Sequence, residues 1–195
     1  MVLSSSNNYS TSNHEVVNIN KNNDKELKFR KLKQNGQIQI YQSSYRGSYS
    51  SIIRDSLRNA ALGRKVLLVQ LMKGGVRQGI SNAQMLCGKM TWVRSSNSYD
   101  QYESEDIINN KNLSTSINKS ITELWDFCKK ELLSGEYDQI ILDEIFMALE
   151  MKIIDKDDLI STLENRFISG DVILTGTSIP KNFLLMADQI TELRS

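Results

Sequence analysis

Three short runs of aliphatic residues constrain the fold of this 195-residue chain more than any other feature. They read VLLV at 66–69, IIL at 140–142 and VIL at 172–174. Continuous aliphatic runs are typical of strands that are buried on both faces of a parallel sheet, because helices cover both sides of such a sheet. The runs therefore predict an α/β fold in which strands and helices alternate along the chain.

The rest of the pattern completes this alternation. The predicted strands are 38–41, 65–70, 90–93, 139–143, 171–176 and 189–193. Helical spacing predicts helices at 51–62, along 117–132 and around 159–163, the last with Asp155 or Asp157 as its cap. Right-handed crossovers between the strands then give a doubly wound, mostly parallel sheet flanked by helices. Ligands of such sheets bind at the carboxyl ends of the strands.

Composition narrows the classes of partner. A formal net charge of +1 gives no support for binding to nucleic acid or to an acidic membrane. No apolar run approaches the roughly 20 residues that a membrane span needs, and the polar N-terminus has no apolar core of a secretory signal. One histidine and the distant cysteines Cys87 and Cys128 argue against a zinc or CxxC site. We expect a cytoplasmic protein that binds neither nucleic acid nor membrane.

The chain divides by composition into a tail and one domain. Residues 1–24 are polar and low in complexity, which predicts a disordered tail. Residues 25–195 are then a single domain, whose basic start at 25–33 could form a short helix. The polar stretch 95–116 is expected to be a flexible loop.

The stretch between the first strand and the next helix, 42–51, lies where a phosphate-binding loop would be. Such a loop needs glycines that let the backbone approach the anion, a lysine for the phosphates and a hydroxyl for magnesium. Only one glycine is present, and the lysine is missing. By pattern alone, a serine-rich turn from strand to helix fits these residues better. The candidate ligands here are Ser43, Ser44, Arg46, Gly47, Ser48 and Ser50.

The segment QIILDE ends a buried strand with the acidic pair Asp143-Glu144. This resembles a Walker B element, in which the aspartate holds magnesium through water and the glutamate contacts the metal or polarises a nucleophile. The alternative is an exposed strand end. Both residues are candidate metal ligands.

Two further strand ends could supply ligands. VQLMKGG closes the second strand, with Gln70 and Lys73 at the ligand edge or, alternatively, in a solvated turn. ILTGTSIP closes another strand with Gly176, a candidate ligand, and predicts a helix capped by Thr177 or Ser178 before a proline.

The order of these segments resembles a known family. VQLMKGG, then QIILDEI, then LTGTSIPKNFLLMADQITELR are similar to the P-loop corrinoid adenosyltransferases, which move the adenosyl group of ATP onto the cobalt of a corrinoid. The resemblance runs from about Gln37 to Arg194. It implies a P-loop NTPase-like domain, with ATP, Mg²⁺ and a corrinoid as the ligands.

Several family positions are altered. The family loop TGxGKGKTT falls on 42–50, where Ser48 replaces the phosphate lysine and Tyr49 replaces the magnesium threonine. The family's aromatic FTW segment, which packs against the corrinoid, is expected near 95–105, where only Tyr99 and Tyr102 stand. These losses imply that binding of MgATP is weak or lost.

Two functions are compatible with this pattern. In the first, the chain is an adenosyltransferase, since Co(I) is itself a strong nucleophile and the protein mainly positions ATP. Its ATP and metal ligands would be Arg46, Gln70, Lys73, Asp143 and Glu144. In the second, the chain is an inactive relative that acts as a binding or regulatory module with an unknown protein partner. A homodimer is compatible with either function.

Overall fold

The computed structural model describes residues 35–46, 49–74, 78–95 and 111–193, with side chains from 115 onward in the last range. Three predictions lie outside these residues. They concern the tail at 1–24, the basic start of the domain at 25–33, and the candidate loop ligands Gly47 and Ser48. The structure therefore leaves those predictions untested.

A seven-stranded sheet and five helices make up the described part of the chain. The strands are β1 Ile38–Ser43, β2 Val66–Gln70, β3 Gln84–Leu86, β4 Met90–Arg94, β5 Gln139–Asp143, β6 Asp171–Gly176 and β7 Gln189–Leu193. The helices are α1 Ser50–Ala61, α2 Lys111–Ser134, α3 Ile145–Glu150, α4 Lys156–Glu164 and α5 Lys181–Met186. A 3₁₀ turn at Ile80–Asn82 precedes β3.

The strand order is β3-β4-β2-β5-β6-β1-β7, and every neighbouring pair is parallel except β3 with β4. This confirms the predicted α/β class with a mostly parallel sheet flanked by helices. The sequence analysis did not predict β3. This edge strand has three residues, two of them exposed, so it carries no aliphatic run that would reveal it.

The central strands are buried on both faces. In β2, Leu67 and Val69 join the larger core cluster with residues of α2 to α5, while Val66 and Leu68 join the smaller cluster beneath α1. One strand therefore contributes apolar side chains to both cores, which is why its sequence is continuously aliphatic rather than alternating.

The structure corrects the predicted start of helix α2. Helix α2 begins at Lys111, so the expectation of a flexible loop over 95–116 is wrong for its last six residues. Thr115 and Ser116 are exposed and Ile117 is buried, so these two polar residues carry no apolar periodicity that would reveal the helix. Residues 96–110 lie outside the description.

Of the two predicted helix caps, one is confirmed and one is wrong. Asp155 caps α4 as predicted, since its carboxylate accepts hydrogen bonds from the backbone N–H groups of Asp157 and Asp158, both at 2.9 Å. The predicted cap of α5 by Thr177 or Ser178 is wrong. The N-cap residue is Pro180, and no side chain caps this helix, because the chain between Gly176 and Pro180 is not yet helical.

The topology gathers four strand ends at one edge of the sheet. β5 lies between β2 and β6, and β1 follows β6. In register, Gln70 is paired with Asp143 and Gln42 with Gly176. Polar residues at these ends are therefore neighbours in space, although they are far apart in the chain. Within the described residues, none of the helices has the length and apolar character that crossing a membrane requires.

Candidate functional site

Asp143 is the last residue of β5, and it is 2% exposed. Its Oδ1 accepts a hydrogen bond from the Thr175 hydroxyl at 3.0 Å. Its Oδ2 accepts from Gln70 Nε2 at 2.8 Å and from Lys73 Nζ at 2.9 Å. The neighbouring strands β2 and β6 supply Gln70 and Thr175, and Lys73 comes from the segment that follows β2. Both oxygens of this carboxylate are therefore bonded within the protein.

Glu144 follows directly and is also 2% exposed. Its backbone is left-handed, with φ 59°, a conformation that costs a residue with a side chain roughly 1–2 kcal/mol. Its N–H donates to the Thr175 hydroxyl at 2.8 Å, so Thr175 joins both acidic residues. Arg46 holds the carboxylate in a bidentate pair, Nε to Oε1 at 3.0 Å and Nη2 to Oε2 at 2.8 Å. This is the geometry that makes charge-assisted hydrogen bonds strong.

Gln70 links the acidic pair to the next strand. Its Oε1 accepts from the indole N–H of Trp92 at 2.9 Å and from Arg94 Nε at 2.7 Å. The Arg94 guanidinium also stacks on the Trp92 ring, 4.4 Å from the ring centroid. The amide of Gln70 therefore fixes the side chains of β4 against the end of β5.

Only some of the candidate ligands in the loop after β1 lie at this site. Among its described candidates, Arg46 reaches the acidic pair and Ser43 is buried at the strand end, whereas Ser44 and Ser50 are exposed. Arg46 also donates to the carbonyl of Met72 at 3.4 Å, so the loop is tied to the end of β2 as well. The structure thus brings Arg46, but neither exposed serine, to the acidic pair.

Gly176 has a packing role that the sequence analysis did not foresee. A Cβ at this position would lie 2.6 Å from Cβ of Phe146 in α3. Glycine therefore lets α3 pack close against the end of β6. This contact accounts for the residue without any ligand.

Tyr49, which stands at the position of the family's magnesium threonine, is a core residue. It is 2% exposed, and its ring packs in the core cluster with Ile52, Ile141 and Ile173. Its hydroxyl is buried and has no hydrogen-bond partner.

The surroundings of that hydroxyl shift its pKa upward. Burial, and next the charges of Asp143 and Glu144, raise the pKa of Tyr49 to about 12, although the peptide groups of Ser43 and Gly176 act in the opposite direction. Ser43 ends β1 and Gly176 ends β6, so the hydroxyl lies near the carboxyl ends of these two strands.

Magnesium, which the family resemblance implies, does not fit the acidic pair in this arrangement. Mg²⁺ requires near-octahedral oxygen ligands at short distance. The oxygens of Asp143 and Glu144 are already bonded to Lys73, Gln70, Thr175 and Arg46. Over the described ranges, no group of three or more histidine, cysteine or acidic side chains could hold a metal ion.

Comparison with known proteins agrees with the fold and with the order of the motifs. The profile of the family described as ATP:corrinoid adenosyltransferase BtuR/CobO/CobP matches residues 34–195. The chain belongs to this family. The match covers the whole described sheet and all five helices, so family membership does not depend on any one motif.

The similar curated proteins are distant. A corrinoid adenosyltransferase of Escherichia coli strain K12 is 22% identical over 167 residues, which cover 82% of this chain and 76% of the relative. An uncharacterized protein of Nostoc sp. is 24% identical over 168 residues, which cover 82% of this chain and 44% of the relative. The chain therefore spans less than half the length of the Nostoc protein.

Sequence reasoning missed Thr175, Trp92 and Arg94 as members of the site. The signal for Trp92 was available, because the Thr91-Trp92 pair matches the last two letters of the family segment FTW. The sequence analysis expects that segment near 95–105, and most of this range lies outside the described residues. The pair instead lies in β4, where the Trp92 indole is bonded to Gln70. No sequence pattern indicated that Thr175 would join both acidic residues.

Proposed function

We propose that this member of the family acts as a binding or regulatory module and does not use MgATP in the ordinary mode of the family. The observation that carries the proposal is the buried side chain of Tyr49. Its ring is part of the core, and its hydroxyl lies at the strand ends, at the loop position that the family gives to the magnesium threonine. A ring packed in this way leaves no aliphatic hydroxyl for a metal at this loop position.

The lost lysine supports the same function. Ser48 stands at the position of the family's phosphate lysine. A charged hydrogen bond of that kind is worth about 1.5–3 kcal/mol. Arg46, the nearest cation in the loop, is already committed to Glu144. The corrinoid remains the small-molecule ligand that such a module could take, because Trp92 is only partly buried at this edge.

An active adenosyltransferase is the second candidate. The observation in its favour is that Gln70, Lys73 and Asp143 gather at one sheet edge together with Trp92. In that reaction, Co(I) attacks the 5′-carbon of ATP, the new bond is carbon to cobalt, and the triphosphate leaves with the electron pair of the broken C–O bond. The protein would mainly orient the two substrates.

The test is a calorimetric titration of the full chain with MgATP, and in parallel with a corrinoid. We expect no binding of MgATP in the range of tens of micromolar, and no adenosylation of a reduced corrinoid. Binding in that range, together with formation of the adenosyl–cobalt product, would establish the enzyme and overturn the proposal.

Two variants separate the missing lysine from the tyrosine. Ser48→Lys alone should gain no MgATP binding, since the Tyr49 ring stays in place. Ser48→Lys with Tyr49→Thr should gain it, if the double variant keeps its circular dichroism spectrum. Gain of binding by the single variant would show that Tyr49 does not exclude the nucleotide.

A further inference from the structure

The acidic pair is matched by two cations that come from other parts of the chain. The side chains of Asp143 and Glu144 are 2% and 3% exposed, while those of Lys73 and Arg46 are 19% and 18% exposed. Two buried carboxylates and two mostly buried cations therefore give a cluster with no net charge. A carboxylate buried without its partner would be costly, so each member of the cluster depends on the others.

Each of the four oxygens of the two carboxylates accepts at least one hydrogen bond from within the protein. Arg46 bonds to both oxygens of Glu144, and Lys73 shares Oδ2 of Asp143 with Gln70. The Thr175 hydroxyl donates a hydrogen bond to the remaining oxygen of Asp143, Oδ1. These donors occupy the positions around the oxygens that a divalent cation and its waters would otherwise take.

We propose that Arg46 and Lys73 are the resident counter-ions of Glu144 and Asp143 in this chain, in place of magnesium. The four side chains form an ionic lock, which joins the loop after β1 to the ends of β2 and β5. This inference rests on the proposed function, since it assigns an internal occupant to the site that MgATP would need. It adds that the acidic pair has become a metal-independent structural element.

The experiment measures thermal unfolding with and without millimolar MgCl₂, and Mn²⁺ binding by electron paramagnetic resonance. For the unaltered protein, we expect a Tm that is insensitive to Mg²⁺ and no bound Mn²⁺. Arg46→Gln should lower Tm by about 10 °C, because it leaves a buried carboxylate without its partner. Added Mg²⁺ should restore part of that loss, and Mn²⁺ should bind, since the freed carboxylate accepts a metal.

Two control variants test whether the loss of Tm in Arg46→Gln comes from the unpaired buried carboxylate. Arg54→Gln removes an arginine from the 3.6 Å pair with Asp55, in which both side chains are largely exposed, so Tm should hardly change. Arg46→Gln with Glu144→Gln removes both charges, so it should regain much of the lost stability and show no response to Mg²⁺. If Arg46→Gln fails to fold and the double variant folds, the lock is supported. Failure of both to fold overturns it.

The lock and the proposed function can fail separately. A rise in Tm of the unaltered protein with Mg²⁺ alone, or equal stability of Arg46→Gln and Arg54→Gln, overturns the lock. Binding of MgATP to the unaltered protein, with no response to Mg²⁺ alone, overturns the proposed function and leaves the lock in place.

Discussion

At the scale of single residues, Tyr49 combines two opposed contributions to stability. Its ring fills the core beneath α1, which favours the folded state. Its buried hydroxyl lacks a hydrogen-bond partner, and an unsatisfied group of this kind costs about 1–3 kcal/mol. A side chain that is needed for its ring but not for its oxygen is consistent with a loop position that has passed from ligand binding to core packing.

Tyr49→Phe should therefore be as stable as the unaltered protein at neutral pH, or more stable by about 1 kcal/mol. The folded-state pKa of Tyr49 is raised from 10.0 to about 12. The stability linked to this raised pKa is fully present below pH 10 and is lost as the pH rises through 12, because the unfolded phenol ionises first. Above pH 10, the unaltered protein should lose stability relative to Tyr49→Phe.

Urea unfolding of both proteins, from neutral pH to about pH 11, measures this difference. A variant that is clearly less stable than the unaltered protein at neutral pH would mean that the hydroxyl makes a favourable hydrogen bond after all.

At the scale of elements, the contact between α2 and α4 depends on Asp158 in the first turn of α4. Its Oδ2 accepts from the indole N–H of Trp125 at 2.7 Å and from Lys129 Nζ at 3.0 Å. Burial raises the pKa of Asp158, but the hydrogen bonds from Trp125 and Lys129 outweigh it, so the pKa is lowered overall. The hydrogen bond with Asp158 in turn raises the pKa of Lys129. The carboxylate thus holds two helices together through its charge.

Asp158→Asn should cost less than about 1 kcal/mol at neutral pH, since Lys129 is partly exposed and the pair is screened by solvent. Because the folded-state pKa is lowered, the contribution is present above the ordinary carboxyl pKa of 3.8 and is lost as the pH falls through the folded value. The stabilities of the two proteins should therefore converge in acid.

Chemical unfolding over the range from about pH 7 to about pH 2 gives the comparison. Asp126→Asn is the matched control, because Asp126 bonds to Lys129 at 3.1 Å in a more exposed position and makes no bond to the indole. An equal effect of the two substitutions would contradict a special role for Asp158.

At the scale of the whole molecule, the sheet determines which polar groups meet. The four side chains of the ionic lock, and the Gln70 and Thr175 side chains that bond to Asp143, lie at or just after the ends of β1, β2, β5 and β6. The helices cover the aliphatic faces of the same strands. The family match begins at residue 34, close to the first described residue, Asn35. We propose that the folded domain does not need the polar residues 1–24.

A chain that starts at Lys25 should unfold cooperatively, with a Tm within about 2 °C of the full chain. The composition of 1–24 gives the reason, since it offers little apolar surface to bury. Differential scanning calorimetry of both chains measures the difference in Tm. A fall of several degrees on truncation would mean that this segment contributes to the folded core.

The sequence by itself determined the three central strands β2, β5 and β6. A strand that is buried on both faces must be aliphatic throughout, and the runs VLLV, IIL and VIL meet this condition. The sequence also determined that an acidic pair would end one of these strands. Short features without such a requirement were not predictable, among them the exposed strand β3 and the polar start of α2.

Only the tertiary structure decided what the acidic pair does. Arg46 lies 98 residues from Glu144 in the chain, and Lys73 lies 70 residues from Asp143. Their contacts depend on the placement of β5 between β2 and β6, which is set by hydrogen bonds between distant strands. A local pattern shows that a carboxylate is present, but its partner is chosen by the packing of the whole sheet.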